Sequence, residues 1–342
     1  MTITIRDVAR ESGYSVSAVS QVLNKMPGMR LSDEAKAKIT ACAARLAYRP
    51  HPVALALRRQ RSSAVSLILP DLSNPSFLNI AVGVQEELAT RGYDTLIQHC
   101  GRDPDREQVL LKQAVERRVE GVVILAMNDP GYYGKYARLL PLLRISGLRT
   151  TGSGIRVDSV SFDVAGGFYK ATNYLIKLGH VRIGLLNRYF DRLLVSRRKD
   201  GYIKALREHG VAVEPNRVLD VNGYNTEMGY KTGRGHREFL QGLTALLVYN
   251  DIMAIGLMKA VREAGMKIPE DISIIGCDGI TWGEYSDPPL TTVCLPRRTA
   301  GQVAARMLLE RIEGRVERNK GEEKIVQTSL IIRNSCKTVG EK

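Results

Sequence analysis

The sequence predicts an α/β core of two doubly wound lobes preceded by a small all-α headpiece, and three observations carry that prediction. From Ala64 onward, apolar strand-like runs alternate with helical patterns, which implies parallel sheets with helices on both faces. The alternation restarts after Asp158, so there are two rounds and two lobes. Ahead of them, residues 1–62 hold 11 Lys/Arg against 4 Asp/Glu, a balance of +7 that is half of the chain's formal +14. A short basic module joined to a near-average body points to nucleic acid, or less often to an acidic membrane surface.

Composition narrows the classes. With 342 residues, 44% of them apolar, the chain can bury sizeable cores and is too long for one ordinary domain. No apolar run approaches the roughly 20 residues of a membrane span, and the apolar start of a secreted protein is missing. Cys42, Cys100, Cys277, Cys294 and Cys336 stand singly, without a CxxC pair, which disfavours a zinc site or disulfide framework and suits a reducing cytoplasm.

The headpiece reads as three helices. Thr4, with Asp7 three residues on, forms a capping box for a helix through Ile5, Val8 and Ala9. Gly13-Tyr14 makes a tight turn, and Ser15 caps a second helix running to about Asn24, with Val19 and Leu23 as its buried stripe. Val16, Ser17, Ser20 and Gln21 are expected to face solvent or a partner. A third helix starts near Ser32-Asp33-Glu34 and buries Ile39, Cys42 or Ala43, and Leu46. Helix, glycine turn, helix is the geometry that lays a second helix into the DNA major groove.

The wording of these residues goes further. Thr4-Ile5-Arg6-Asp7-Val8-Ala9, Gly13-Tyr14-Ser15-Val16-Ser17-Ala18-Val19-Ser20, Val22-Leu23-Asn24 and Leu46-Ala47-Tyr48-Arg49-Pro50 resemble the head of the lactose-repressor (LacI/GalR) family. The resemblance runs over nearly the whole chain; the turn from Met26 to Leu31 departs from it by about two extra residues. It implies that Val16, Ser17 and Gln21 read bases, and the chemistry agrees: Gln bonds adenine, Val packs on a thymine methyl, and Ser is permissive. Thr4, Ser15, Ser20 and Asn24 are better placed for phosphate oxygens, with helix capping as a compatible role for Thr4 and Ser15.

Pro50 and Pro52 break the preceding helix, and Val53-Ala54-Leu55-Ala56-Leu57 has high helix propensity but too few residues to hold a helix alone. The stretch resembles the family's hinge helix, which pairs with that of a dimer mate in the minor groove; Val53, Ala54 and Leu57 are then DNA contacts, Leu57 as the wedge between base steps. The organisation expected is a headpiece over 1–49, a hinge over 50–62, and a body over 63–342, with lobe 1 at about 63–160 and 294–325 and lobe 2 at about 161–293.

Within the body, strands are expected at Val65–Leu69, Thr95–Ile97, Val122–Leu125, Val181–Leu186, Val218–Asp220, Ala245–Val248 and Ile272–Ile275. Helices fall between them, the first through Phe77, Ile80, Val84 and Leu88 to a stop at Gly92, the last over 298–313. The resemblance adds a periplasmic-binding-protein-like core whose last helix returns to the first lobe after crossing near Thr291-Thr292-Val293. Leu142 to Val157 is markedly polar where relatives have an apolar strand, so that strand is expected to be short or displaced.

Ligands in such folds bind at the carboxyl ends of strands, here between the lobes. The candidate effector residues are Asn74 and Phe77 after the first strand, Asp163, Arg192, Arg198, Tyr224, Asn250 and Asp278. Arginine and aspartate suit vicinal hydroxyls, and a flat ring covers the C–H face of a sugar. Capping is the competing role for Asp163 and Asp251, and ordinary half-burial for Tyr224. His180 reads as structural.

An enzyme on the same core would want a glycine-rich phosphate loop, but Pro70-Asp71-Leu72-Ser73-Asn74-Pro75 has none, and HExxH and GxSxG are missing. No cofactor and no metal are called for. A solute-binding protein shares the core but has no use for residues 1–62 and would need an export signal. The reading is a cytoplasmic homodimer, not an enzyme, that regulates transcription from a pseudo-palindromic operator in double-stranded DNA. A small polar effector, a sugar or related metabolite, changes the lobe angle and with it hinge folding on DNA; no membrane is involved.

Overall fold

The structure, a computed structural model, describes residues 3–24, 29, 31–48, 62–125, 130–145, 157–189, 194–317 and 321–340. They form two compact units, Met1–Ser63 and Ala64–Lys342. The expected hinge contacts Val53, Ala54 and Leu57, and the cleft candidate Arg192, lie outside the described residues.

The first unit is a three-helix core of α1 (Ile5–Ser12), α2 (Val16–Leu23) and α3 (Asp33–Arg45). Short helices cannot persist on propensity, so their ends are pinned. The Asp7 carboxylate accepts from the Thr4 amide at 2.9 Å and the Thr4 hydroxyl at 2.7 Å. Ser15 Oγ accepts from the Ala18 amide, and Ser32 Oγ from the Ala35 amide. Val8, Val19 and Ile39 are fully buried at the centre, joined by Val22, Cys42 and Ala43. Val22 thus takes the deep place expected for Leu23, which is only partly covered.

The second unit holds two six-stranded sheets. The first has strands β1 (Ala64–Leu69), β2 (Asp94–His99), β3 (Gly121–Leu125), β4 (Leu142–Ile145), β5 (Asp158–Phe162) and β11 (Glu323–Val326), in the order β11-β5-β4-β3-β1-β2. The second has β6 (Ile183–Arg188), β7 (Val218–Val221), β8 (Ala245–Val248), β9 (Ser273–Asp278), β10 (Thr291–Cys294) and β12 (Ser329–Ile331), in the order β12-β10-β9-β8-β6-β7. All pairings are parallel except β12 on β10. Parallel strands need covered faces, and the helices supply them. These are α4 (Pro75–Ala89), α5 (Pro104–Glu116), α6 (Pro130–Ala137), α7 (Val164–Lys177), α8 (Leu194–Glu208), α9 (Thr226–Gly235), α10 (Arg237–Gln241), α11 (Asp251–Glu263) and α12 (Arg297–Ile312).

The chain passes between the sheets three times: between β5 and α7, between β10 and α12, and between β11 and β12. The second passage falls at Leu295-Pro296, a few residues beyond the expected Thr291-Thr292-Val293, which is itself strand β10 of the second sheet. α12 then docks on α4. Gly83 of α4 meets the Arg298 backbone carbonyl and Gly301 of α12 meets that of Ile80, each too closely to admit a Cβ. Gly83→Ala is therefore expected to lower the unfolding free energy of the body by about 1–3 kcal/mol, because overpacking must push two backbones apart. Urea titration of both proteins measures it, and superimposable curves would rule out so close a crossing. Buried Arg311 of α12 also grips Asp158 of β5 with both Nε and an Nη, at 2.7 and 2.8 Å.

Of the polar segment, residues 146–156 lie outside the described residues, and Leu142–Ile145 form strand β4, which sits between β3 and β5 with all four residues buried. Its Arg144 is fully buried, 5.6 Å from the Tyr133 ring centroid, with no hydrogen-bond partner among the described residues. Burial holds that guanidinium's pKa below its ordinary value. His180 bridges the Thr244 hydroxyl and the Lys337 carbonyl, both at 3.0 Å, which is a structural role.

Candidate DNA-reading head and effector cleft

On the head, the outer side of α2 presents Val16 and Ser17 exposed and Gln21 half-buried. Capping orders the first turn of this helix, so those side chains project from a fixed frame. Ser20 is a correction. It was expected to face outward, yet it is buried, because the Asn24 carboxamide one turn on folds over it. Asn24 Nδ2 donates to the Ser20 carbonyl at 2.7 Å and to its hydroxyl at 3.2 Å. Both residues are engaged in closing the helix.

In the body, the candidate residues gather where the parallel strands of both sheets end. Tyr224 follows β7 and reaches across to the other lobe: its hydroxyl donates to Asp71 Oδ2 at 2.5 Å, and Arg102 Nε donates to that hydroxyl. Arg102 also stacks on the Tyr224 ring, 3.5 Å from its centroid. Burial, reinforced by the Asp71 bond, pushes the Tyr224 phenol up to about 12. Burial works against ionised Asp71, but the Tyr224 and Ser73 hydrogen bonds outweigh it and its pKa is lowered. An open recess of about 250 Å³ flanks this junction, lined by Asp71, Ser73, Tyr224, Asn225, Met228 and Lys231 among others.

Deeper in, Arg198 of α8 is buried, its Nε donating to the Tyr249 carbonyl at 3.2 Å and its guanidinium 4.1 Å from the Tyr249 ring centroid. Asp278 closes β9 with a φ of 128°, a strained angle for a residue with a side chain, and accepts from Arg297 at 2.6 Å. Phe77 is half-buried with Arg102 and Arg297 at 5.5 and 5.3 Å from its centroid. Three other candidates are helix caps. Asn74 Oδ1 accepts from the Ser76 amide, Asp163 Oδ1 from the Gly166 amide, and Asn250 Oδ1 from the Met253 amide. Asn250 keeps its Nδ2 on the Tyr224 carbonyl, at 3.0 Å. Asp251 caps nothing: Asn250 holds that position, and the buried Asp251 carboxylate turns to the loop after β9 and to β10.

A capped three-helix head and a two-sheet body with an arginine-lined cleft constrain the comparison with known proteins. The sequence family described as bacterial regulatory proteins, lacI family, matches residues 4–51, and the periplasmic binding protein-like domain matches residues 172–336. The chain carries a lacI-family DNA-binding head and a periplasmic-binding-protein-like body. It is 28% identical over 338 residues to the HTH-type transcriptional repressor CytR of Escherichia coli (strain K12), covering 98% of this chain and 97% of that protein. It is 29% identical over 335 residues to the HTH-type transcriptional repressor PurR of Photobacterium profundum, covering 98% of each. A lac repressor dimer bound to operator and the anti-inducer ONPF superposes with a TM-score of 0.86 at 23% identity, over 98% of this chain and 100% of that one. That last likeness establishes the shared fold. Among the described residues, no helix is long and apolar enough to cross a membrane.

In this cleft, sequence reasoning misses Arg102, Arg188, Tyr249 and Arg297. Arg188 ends β6, buried, with its guanidinium 4.7 Å from the Tyr224 ring centroid. Arg297 opens α12 immediately after the second passage between lobes. Position at a strand's carboxyl end is a usable signal for Arg188 and Tyr249. Arg102 and Arg297 come to the cleft only through the packing of the two lobes.

Proposed function

We propose that this chain is a sequence-specific transcriptional repressor, acting as a homodimer in the cytoplasm, whose operator affinity is set by a small polar effector held between the lobes. The observation that carries the reading is the joining in one chain of a cap-ordered helix presenting Val16, Ser17 and Gln21 to a cleft built from Arg198, Tyr224 and Asp278. The relatives named as transcriptional repressors support regulation over catalysis. Exposed Leu78 and Val82 on α4, with exposed Leu96 and Ile97 on edge strand β2, support pairing with a second copy, since a bare apolar sheet edge invites a partner. Val53, Ala54 and Leu57 are proposed as minor-groove contacts from the sequence resemblance alone, and Arg192 as an effector contact from its place six residues before Arg198.

The test begins with selection of operator half-sites from a randomised duplex, followed by affinity against salt. Binding should be dimeric, and log affinity should fall steeply with log salt because several Lys/Arg displace counterions. Affinity that is flat between about 50 and 200 mM salt would contradict the reading. In the same selection Gln21→Ala should relax one base pair per half-site by about 1–3 kcal/mol. A uniform loss over all bases would assign Gln21 to the phosphates instead.

A further inference from the structure

The chain passages between the two sheets lie on one side of the body. β5 and β11 form one edge of the first sheet, and β10 and β12 the corresponding edge of the second. At the opposite edges β2 and β7 each lead back into their own lobe, through α5 and α9. The four strand steps from β5 to β2, at about 4.8 Å each, put that edge roughly 19 Å from the passages. There the lobes are joined by side chains. Tyr224, just after β7, donates its hydroxyl to Asp71 Oδ2 at 2.5 Å and accepts from Arg102 Nε. The Arg102 guanidinium is 3.5 Å from the Tyr224 ring centroid, and its Nε is 3.9 Å from Asp71 Oδ2. Donor and acceptor of one phenol are thus both used across the lobe boundary.

Each half of this contact is fixed from its own side. Arg102 sits at a φ of 60°, in the left-handed region that disfavours a side chain, and its amide donates to the Pro70 carbonyl at 2.9 Å. That bond ties the turn after β2 to the loop of Asp71, whose Oδ1 accepts from the Ser73 amide at 2.7 Å. In the second lobe, Asn250 caps α11 and holds the Tyr224 carbonyl at 3.0 Å. Partners already in place lose little freedom on meeting, so the bond keeps most of its strength. We infer that Asp71, Arg102 and Tyr224 form an interlobe clasp, which fixes the lobe angle at the edge remote from the chain passages, with Tyr224 acting through its hydroxyl. A bond so far from the passages opposes lobe opening with a long lever arm. The clasp stands on the geometry of the lobes; its consequence for operator affinity rests on the reading that lobe angle controls DNA binding.

The experiment follows amide hydrogen exchange by mass spectrometry on the full chain, with no ligand added. Tyr224→Phe removes the hydroxyl and keeps the ring, and Arg102→Met removes the donors and keeps the length. Tyr224→Phe, a change in the second lobe, should speed exchange by about tenfold in peptides over 70–77 and 100–103 of the first. Arg102→Met, a change in the first lobe, should speed it likewise over 222–228 of the second. Asp71→Asn added to Tyr224→Phe should bring little further change, because both act on one bond. Exchange altered only in the lobe that carries the substitution, or in neither lobe, would overturn the clasp. Operator gel shifts on the same variants separate the two readings. Exchange transmitted between lobes with operator affinity unchanged upholds the clasp and defeats the link from lobe angle to DNA. Altered operator affinity without transmitted exchange defeats the clasp alone.

Discussion

Asp251→Ala should destabilise the body by about 3–5 kcal/mol, a large part of the total stability of an ordinary domain. The side chain is fully buried at the start of α11, and its carboxylate is the shared acceptor of three donors. Oδ2 takes the Gly279 and Ile280 amides at 2.7 and 2.8 Å, and Oδ1 takes the Thr292 hydroxyl at 2.6 Å. Alanine leaves the Gly279 amide and the buried Ile280 amide without that acceptor, and the Thr292 hydroxyl with only the Val293 carbonyl at 3.5 Å. The loop they belong to follows the strained Asp278, so the loss should also loosen the floor of the cleft.

The same residue gives a pH signature. Burial, and then the charge of Asp278, push Asp251 up to about 7 from an ordinary value of 3.8. The folded chain therefore keeps a proton that the unfolded chain gives up, and the stability this group contributes is full below pH 3.8 and is lost as pH rises through 7. Within that window each pH unit is worth about 1.4 kcal/mol. Asp251→Asn, which does not titrate, should lack the slope. Urea unfolding of wild type and Asp251→Asn from about pH 5 to 8 compares them, and parallel profiles would show that the carboxyl is ionised throughout.

Asp251 also shows where sequence reading stops. Its neighbours in the chain suggest a cap or a ligand, and its actual role depends on Thr292, which only the parallel register of β9 and β10 brings near. Local signals fare better. The bonds of Thr4 with Asp7 and of Ser15 with Ala18 are legible because both partners lie within one helical turn. The strands of the body are legible as unbroken apolar runs, since both faces of a parallel sheet are covered. Ser20 misleads because a polar side chain at an outward angle can still be covered by the residue one turn on, here Asn24. In the cleft, Arg198 and Asp278 stand out through the motif wording around them. Arg102 and Arg297 carry no such wording, and they meet at Phe77 only after the chain has crossed between lobes.

Arg198→Ala and Asp278→Asn should each weaken effector binding by about 1.5–3 kcal/mol, tenfold or more in affinity, while operator binding without effector stays nearly intact. Arg198 is held from two sides, by the Tyr249 carbonyl at 3.2 Å and by stacking on the Tyr249 ring, so its remaining donors are fixed before a ligand arrives. Preorganisation of that kind means the variant forfeits bonds already oriented, with little compensation from a rearranged neighbour. Asp278→Asn keeps the shape but removes the charge facing Arg297, whose 2.6 Å bond then weakens from charge-assisted to ordinary. The two variants should differ in one respect. Arg198→Ala removes a donor to the ligand and should act on affinity alone, whereas Asp278→Asn frees Arg297 and should also shift which oxygens the ligand presents. Calorimetry on both variants, with gel shifts at saturating and zero effector, separates these effects. Normal effector affinity together with lost operator affinity would mean that the pair braces the lobes and that the effector sits elsewhere.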